Sequence, residues 1–381
     1  MTAPRYPGLA TLSAHAGHVS LPYTDTAVAM LETRLAALEN GVGALACASP
    51  QAALHLALTT LAEAGSHVVA ASSLDGALHG LLAHGLRRFG VETTFVDARD
   101  PNAWRAAIRA QTCVLVAPLM GGPGLDLLDL SRIGALAHEH HLPLLVDATL
   151  ATPWLLQPLE HGADLVLHAA GSYLGGRGNG TGGLLVDGGT FDWQRAHDAT
   201  GRFAGLCESG ARYDGLVYSE ASTVGAFSLR ARREGLLDFG AALSPFDAAA
   251  ILHDIETLGL RMERHVANAR RVAAFLAAQA TVESVEYPEL DGHPGRALAG
   301  ALMPRGCGAV VGIRLGSAAA GQRFLDALRL FAPAADIGGA RSRAAALDAG
   351  ADGLRLSIGL EDADDLIDDL ARALKLAGKG S

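Results

Sequence analysis

Ser172 lies where an apolar run, Ala163–Ala170, breaks into a glycine-rich turn extending to Gly183. The run reads as a buried strand, and the loops beyond the carboxyl ends of parallel strands are where open α/β sheets gather ligands and reacting groups. A hydroxyl there is a candidate nucleophile, but serine needs a base to activate it, and no His and acid stand at a recognisable spacing from Ser172. Filling space or capping the turn is the preferred reading. Gly175–Gly183 could be taken for a phosphate loop, yet it lacks the lysine and the following helix of a P-loop and reads as a tight turn. His138, Glu139, His140 and His141 invite a metal reading. They stand at a predicted helix end, where histidines complement the helix dipole, and that reading is preferred. The chain has only two lysines, Lys375 and Lys379, both within its last seven residues, so the expected folded body has none.

The elements that must position these groups follow a regular rhythm. Met30–Asn40 carries Leu31, Leu35 and Leu38 at helical spacing and stops at Gly41, which predicts a glycine-capped helix. Pro50–Ala64 reads as a second helix, with Ser49 as N-cap and Pro50 at the favoured first position. Branched apolar runs at 67–71, 91–98, 113–118, 142–148 and 164–170 predict strands, separated by helical stretches near 76–89, 101–110 and 129–140. This alternation implies an α/β fold with a mainly parallel sheet covered by helices on both faces. From Leu184 to Gly240 the pattern is irregular and predicts a long surface excursion. A helical region over Pro245–Ala280, strands at VESVEYP, GAVVGIRLG and GLRLSIG, a helix at 319–330 and a final helix from Asp362 predict a smaller α+β domain. The organisation expected is an N-terminal arm at 1–22, a large domain at 23–243 and a C-terminal domain at 244–381.

Composition bounds the partners. Half of the 381 residues are hydrophobic and 18% are charged, which implies extensive burial, between subunits as well as within them, and a soluble oligomer. A formal net charge of −10, with no Lys/Arg-rich arm or basic amphipathic helix, argues against nucleic acid and against a membrane surface. No apolar run reaches signal-peptide or membrane-span length, so a cytoplasmic location is expected. Cys47, Cys113, Cys207 and Cys307 are far apart, match no metal spacing and are expected to pack as small hydrophobes.

ADLVLHAAGSYLGG, LLVDATLATP, AALSPFDAAAIL followed by LGLRMERH, and GLRLSIGLEDADDLIDDL together resemble the pyridoxal-phosphate enzymes of cysteine and methionine metabolism, over nearly the whole chain. VDGGTFDW, GRFAGL and YDGLVYSEA resemble, within that family, the O-acetylhomoserine sulfhydrylases. The resemblance implies a fold-type-I, PLP-transferase-like large domain, a dimer or tetramer, and pyridoxal 5'-phosphate held as a Schiff base by the lysine of an H-S-A-T-K-(Y/F)-x-G-G motif. That motif falls on His168–Gly176 and puts Ser172 at the lysine position. By the same resemblance Asp147 falls where a carboxylate pairs with the pyridinium nitrogen, and Arg355 where an arginine binds the substrate carboxylate. Ser49 and Gln51 fall in the phosphate-binding turn, with Pro50 between them, which has no N–H to give. Other positions depart from the pattern. Ala169 and Gly171 stand for a Ser and a Thr that reach the phosphate, Asp75 for a stacking tyrosine, and Pro118–Pro123 for an E-T-P-S-N-P loop. Tyr23, Thr24 and Asp25 stand where a Tyr-x-Arg pair is lent to the neighbouring subunit.

A hydroxyl forms no imine, and the body offers no other lysine. The expectation is therefore a non-catalytic relative without bound pyridoxal phosphate. It would be a regulatory or scaffolding subunit, as a homo-oligomer or with an active paralogue, or a binder of a small carboxylate metabolite at Arg355. Two alternatives stand beside it. One is an active enzyme making homocysteine from O-acetylhomoserine and sulfide with noncovalently held cofactor. The other is a cofactor-independent enzyme using Asp75, Asp147 or Ser172. Asp147 equally suits a structural role at a strand end, and Asp75 reads as a solvated loop acid. His168 and Tyr173 are expected to pack around the turn, and Arg261, Glu263 and Arg264 to form a subunit or domain interface.

Overall fold

The computed structural model describes residues 26–178, 181–210, 215–347 and 353–378. The branched apolar runs become strands: β1 (Gly43–Cys47), β2 (His67–Ala71), β3 (Glu92–Val96), β4 (Thr112–Pro118), a small ribbon of β5 (Met120–Gly121) and β6 (Asp126–Leu127), β7 (Leu144–Asp147), β8 (Leu165–Ala169) and β9 (Gly183–Asp187). Seven of them form one sheet in the order β1-β9-β8-β7-β4-β2-β3. The pairs from β8 through β7, β4 and β2 to β3 are parallel, whereas β9 runs antiparallel to both β8 and β1. Every residue of β1, β2, β4 and β9 is buried, as strands covered on both faces require.

The helix Pro50–Leu61 starts as its sequence implies, with Pro50 in the first turn and the Ser49 hydroxyl accepting from the Ala52 N–H at 3.1 Å. It ends three residues before Ala64. The first helix, Thr26–Glu39, is stopped by Asn40 in the left-handed conformation (φ +58°) and not by Gly41. Gly41 answers a different need. A Cβ there would stand 2.5 Å from Val186 Cγ1 and 2.8 Å from the Asp187 carbonyl oxygen, so only glycine lets the chain pass β9.

The stretch from Leu184 to Gly240 is not a surface excursion. It opens with β9, a sheet-interior strand between β1 and β8. It then folds into short helices that bury Trp193, Phe203, Leu206 and Phe227 against Leu45, Leu58 and Leu185 in a second core cluster. The Trp193 and Phe203 rings meet edge to face at 5.2 Å, and Trp193 and Phe227 lie stacked at 5.9 Å. Among the described residues these helices span three to eight residues, too few for a 3.6-residue period to register. The helix expected over Pro245–Ala280 is two, Pro245–Ile255 and Leu258–Ala277.

A second sheet follows from β10 (Ser284–Glu286), β11 (Val310–Arg314), β12 (Ala332–Pro333), β13 (Arg343–Ala346) and β14 (Gly353–Ser357), in the order β10-β11-β14-β13-β12. The helices Ala318–Ala327 and Ala363–Ala377 pack on one another, the latter capped by Asp362. Strands β12 and β13 and a helix at Arg296–Leu302 go beyond the sequence expectation. Among the described residues, no helix is long and apolar enough to cross a membrane.

Candidate functional site

Ser172 follows β8 in a turn whose backbone closes on itself. Its N–H donates to the Ala169 carbonyl at 3.1 Å, and its carbonyl accepts from the Gly176 N–H at 2.7 Å. The Gly175 N–H reaches the Ala170 carbonyl and the Gly178 N–H reaches the Gly171 carbonyl, both at 2.8 Å. Arginines then grip the remaining carbonyls. Arg261, on the helix Leu258–Ala277, donates to the Tyr173 carbonyl at 2.5 Å and to the Leu174 carbonyl at 2.8 Å. Arg343 of β13 donates to the Gly178 carbonyl at 2.5 Å, and Arg177 pairs with Asp254 at 2.7 Å. Arg261, read from the sequence as an interface residue, thus bridges the second helical layer and the turn. Gly338 lies against the same backbone so closely that a Cβ would overlap the Tyr173 nitrogen and the Ser172 carbonyl carbon. Ser172 itself is buried, 6% exposed.

Of the two residues expected to pack around this turn, Tyr173 lies in it, and His168 sits in β8 and pairs with Glu39 of the first helix. Tyr173 is fully buried, which pushes its phenol well above the usual range, and its ring meets His265 edge to face at 5.2 Å. Burial lowers the His265 imidazole to about 4, and its Nδ1–H donates to the Ile358 carbonyl at 2.7 Å. His168 is fully buried, with Nε2 2.6 Å from Glu39 Oε1.

Asp147 ends β7, and its Oδ1 accepts from both the Thr149 N–H (3.0 Å) and the Thr149 hydroxyl (2.5 Å). The Thr149 hydroxyl in turn accepts from the Ala169 N–H at 2.8 Å, which ties the end of β7 to the end of β8. Desolvation raises the Asp147 carboxyl pKa; the Thr149 hydrogen bonds and His168 oppose the shift, and the Asp75 charge adds to it. Thr149 is a linking residue that sequence reasoning missed; its signal was a hydroxyl two positions after a strand-end acid.

At the start of the helix Pro50–Leu61 the donors are mostly spent. Ser49 takes the Ala52 N–H with its hydroxyl and the Ala53 N–H with its carbonyl (3.0 Å), and Pro50 has none. Among the described residues the Gln51 N–H is the one first-turn amide without a protein partner. The wall opposite is tight: the Gly182 N–H donates to the Ala48 carbonyl at 3.0 Å, and a Cβ at Gly183 would overlap the Ser49 carbonyl oxygen.

Arg355 lies on β14 and donates through Nη2 to the Ala335 carbonyl. Its Nη1 stands 4.0 Å from Asp75 Oδ2. Asp75 is not a free loop acid: Oδ1 accepts from the Ala77 N–H at 3.1 Å and caps the short helix Gly76–Gly80. The two charged groups come from different sheets' loops and strands, and their approach was invisible in the sequence. His138, by contrast, points away from a metal role. Its Nε2 lies 2.9 Å from Asp164, a hydrogen bond that raises the imidazole pKa. Two surface cavities of about 200 and 480 Å³, one along Pro101–Arg105 and Arg132–Glu139, the other between Leu315–Arg323 and Leu374–Gly378, take in none of Ser49, Ser172, Asp147 and Arg355. Tyr23, Thr24 and Asp25 lie outside the described residues.

Comparison with known proteins adds the lineage. A family model described as Cys/Met metabolism PLP-dependent enzyme matches residues 15–375. The O-acetyl-L-homoserine sulfhydrylase of Leptospira meyeri is 41% identical, over 93% of this chain and 84% of that protein. The L-methionine gamma-lyase of Pseudomonas putida is 36% identical, over 94% of this chain and 86% of that one. A solved structure named as an O-acetylhomoserine (thiol)-lyase of Campylobacter jejuni superposes with a TM-score of 0.87 at 30% identity, over 92% of this chain and 85% of that one. It carries N'-pyridoxyl-lysine-5'-monophosphate.

Proposed function

The chain belongs to the Cys/Met metabolism PLP-dependent enzyme family, and on that premise we propose that it keeps the fold but has lost the imine chemistry, working as a non-catalytic subunit or metabolite binder. One observation carries the reading. The side chain at the end of β8 is the buried hydroxyl of Ser172, and the only lysines are Lys379, outside the described residues, and Lys375, exposed on the last helix. An aldehyde cofactor needs an amine to form its covalent link, and a hydroxyl does not supply one.

The surrounding residues do not fit a phosphorylated aldehyde either. The helix start offers a single amide, at Gln51, and Ala169 and Gly171 bring no hydroxyl. Each missing hydrogen bond to a charged group is worth roughly 1.5–3 kcal/mol. Three of them, even at half additivity, remove a few decades of affinity at about 1.4 kcal/mol per decade.

The exposed side chains support assembly. Leu237, Phe239 and Phe246 are 59%, 70% and 88% exposed, close together in sequence, the last in the first turn of the helix Pro245–Ile255. Large apolar groups in such a concentration favour a second subunit, either another copy or an active paralogue. The net charge of −10 favours neither nucleic acid nor an anionic membrane as partner.

The test is an absorption spectrum of the purified protein with and without added pyridoxal phosphate. No visible band is expected in either; a band characteristic of bound cofactor overturns the reading. A second reading rests on the 41% identity to the Leptospira meyeri sulfhydrylase: an active sulfhydrylase with noncovalently held cofactor. Homocysteine formed from O-acetyl-L-homoserine and sulfide by the cofactor-supplemented protein would establish it.

A further inference from the structure

The larger of the two surface cavities, about 480 Å³, lies between the helices Ala318–Ala327 and Ala363–Ala377. Its volume falls within the roughly 300–1,000 Å³ that small-molecule sites occupy. The floor is apolar: Leu374 and Ala377 are buried, and Leu315, Ala319 and Ala320 flank them. Among the described residues Arg323 is the one charged side chain in the lining, and no carboxylate faces the space. Arg323 is half-buried and tied by Nε, which donates to the Ala377 carbonyl at 3.1 Å. Its Nη1 and Nη2 have no partner among the described residues. Arg261 shows the contrast, since its Nε is spent on the Thr257 hydroxyl and both its Nη atoms on backbone carbonyls.

We propose that this cavity is a binding site for a small aliphatic monocarboxylate, its carboxylate on the Nη fork of Arg323 and its hydrocarbon chain over Leu374, Leu315 and Ala320. A guanidinium held by Nε alone leaves free the end that meets a carboxylate through two parallel donors. The bond to the Ala377 carbonyl already fixes the side chain, so little rotamer freedom is lost on binding. One cation balances one carboxylate, and the apolar floor gives an alkyl chain surface to cover. An α-amino acid would bring an ammonium that no lining side chain can pair, so the class is a simple carboxylate. The site lies apart from the cleft and neither needs nor excludes a cofactor beside Ser172: the cavity takes in none of Ser49, Asp147, Ser172 and Arg355.

The experiment is calorimetric titration of the full-length protein with hexanoate, hexanamide and hexylamine. Hexanoate is expected to bind at least about tenfold more tightly than the other two, which keep the chain but lack the anion. Arg323→Gln should bring hexanoate down to the level of the amide. That change also removes the bond to the Ala377 carbonyl, so Ala320→Leu stands beside it. Ala320→Leu leaves Arg323 and its carbonyl bond in place, narrows the cavity and should weaken hexanoate at least about tenfold. Thermal melting of each variant separates these losses from misfolding. Arg355→Gln should keep the full preference for hexanoate. Equal binding of the three compounds, no binding of hexanoate, or undiminished affinity in either Arg323→Gln or Ala320→Leu would overturn the site. Loss of the preference in Arg355→Gln would put the carboxylate in the cleft and overturn it as well.

Discussion

The turn after β8 and the rim formed by Asp75 and Arg355 are built on opposite lines. The turn is closed: its amides bond within it, three arginines hold it, Gly338 presses on its backbone, and Ser172 and Tyr173 are buried. The rim is open and charged, with two partly exposed groups poised short of contact. The difference is one of exposure: the position after β8 is buried among packed groups, and the charges that solvent reaches are those of Asp75 and Arg355.

Breaking the turn should therefore be far more damaging than breaking the rim. The largest effect is expected from Gly338→Ala, which places a methyl group on the Ser172–Tyr173 backbone at a left-handed position (φ +77°). A loss on the order of 3 kcal/mol or more is expected in denaturant unfolding. Gly292→Ala, also left-handed (φ +89°) but with open space around it, should lose only about 1 kcal/mol. Equal losses would remove the claim that close backbone contact braces the turn.

Acid should loosen the turn's supports next. The buried His265 imidazole is lowered to about 4 from its ordinary value near 6.5, so the unfolded chain takes up this proton first as pH falls. Its contribution is complete above pH 6.5 and is lost progressively down to about pH 4, on the order of 3 kcal/mol in all. Asp187 acts in the opposite sense. Burial raises its carboxyl to about 6 from 3.8, so the folded chain holds the extra proton there and stability falls as pH rises through that window. His265→Gln should flatten the acid limb of the stability profile; a limb as steep as before would show that the histidine is not its source.

Arg261→Met should come third, at about 2 kcal/mol, because it leaves the Tyr173 and Leu174 carbonyls without their donor. The smallest effect is expected at the rim. Arg355→Ala and Asp75→Asn should each change stability by less than about 0.5 kcal/mol in the same unfolding measurement, as for other exposed pairs. A loss at the rim matching that at Arg261 would erase the contrast between the two regions.

The sheet interior was legible because β2, β4, β7 and β8 are short runs of Val, Leu and Ala that no surface would tolerate. The edge strand β1 was not: GALAC has no β-branched residue, and it is a strand because β9 pairs with it. The start of the helix could be read from Ser49 and Pro50, since a cap and a first-turn proline are local signals. In the site, Asp147 and Arg355 could be placed by motif, but the approach of Asp75 to Arg355 depends on two segments far apart in the chain. Arg261 shows the remaining difficulty. An arginine on a helix face has the same sequence pattern whether it meets water or three backbone carbonyls, and only the packed structure distinguishes them.

The pairing of β1 with β9 also sets an order in time. Among the described residues β9 is the one strand that pairs with β1, whose other side carries a bridge from Cys47 to Ala242, and Gly183 of β9 is the wall against which the Ser49 turn rests. A chain leaving the ribosome completes β2, β3, β4, β7 and β8 before β9 exists, so the first strand must wait for one of the last. Closing so long a loop is a slow step governed by chain entropy. The amide end of the helix at Gln51 borders β9, so this corner of the sheet can be assembled only once β9 has been synthesised.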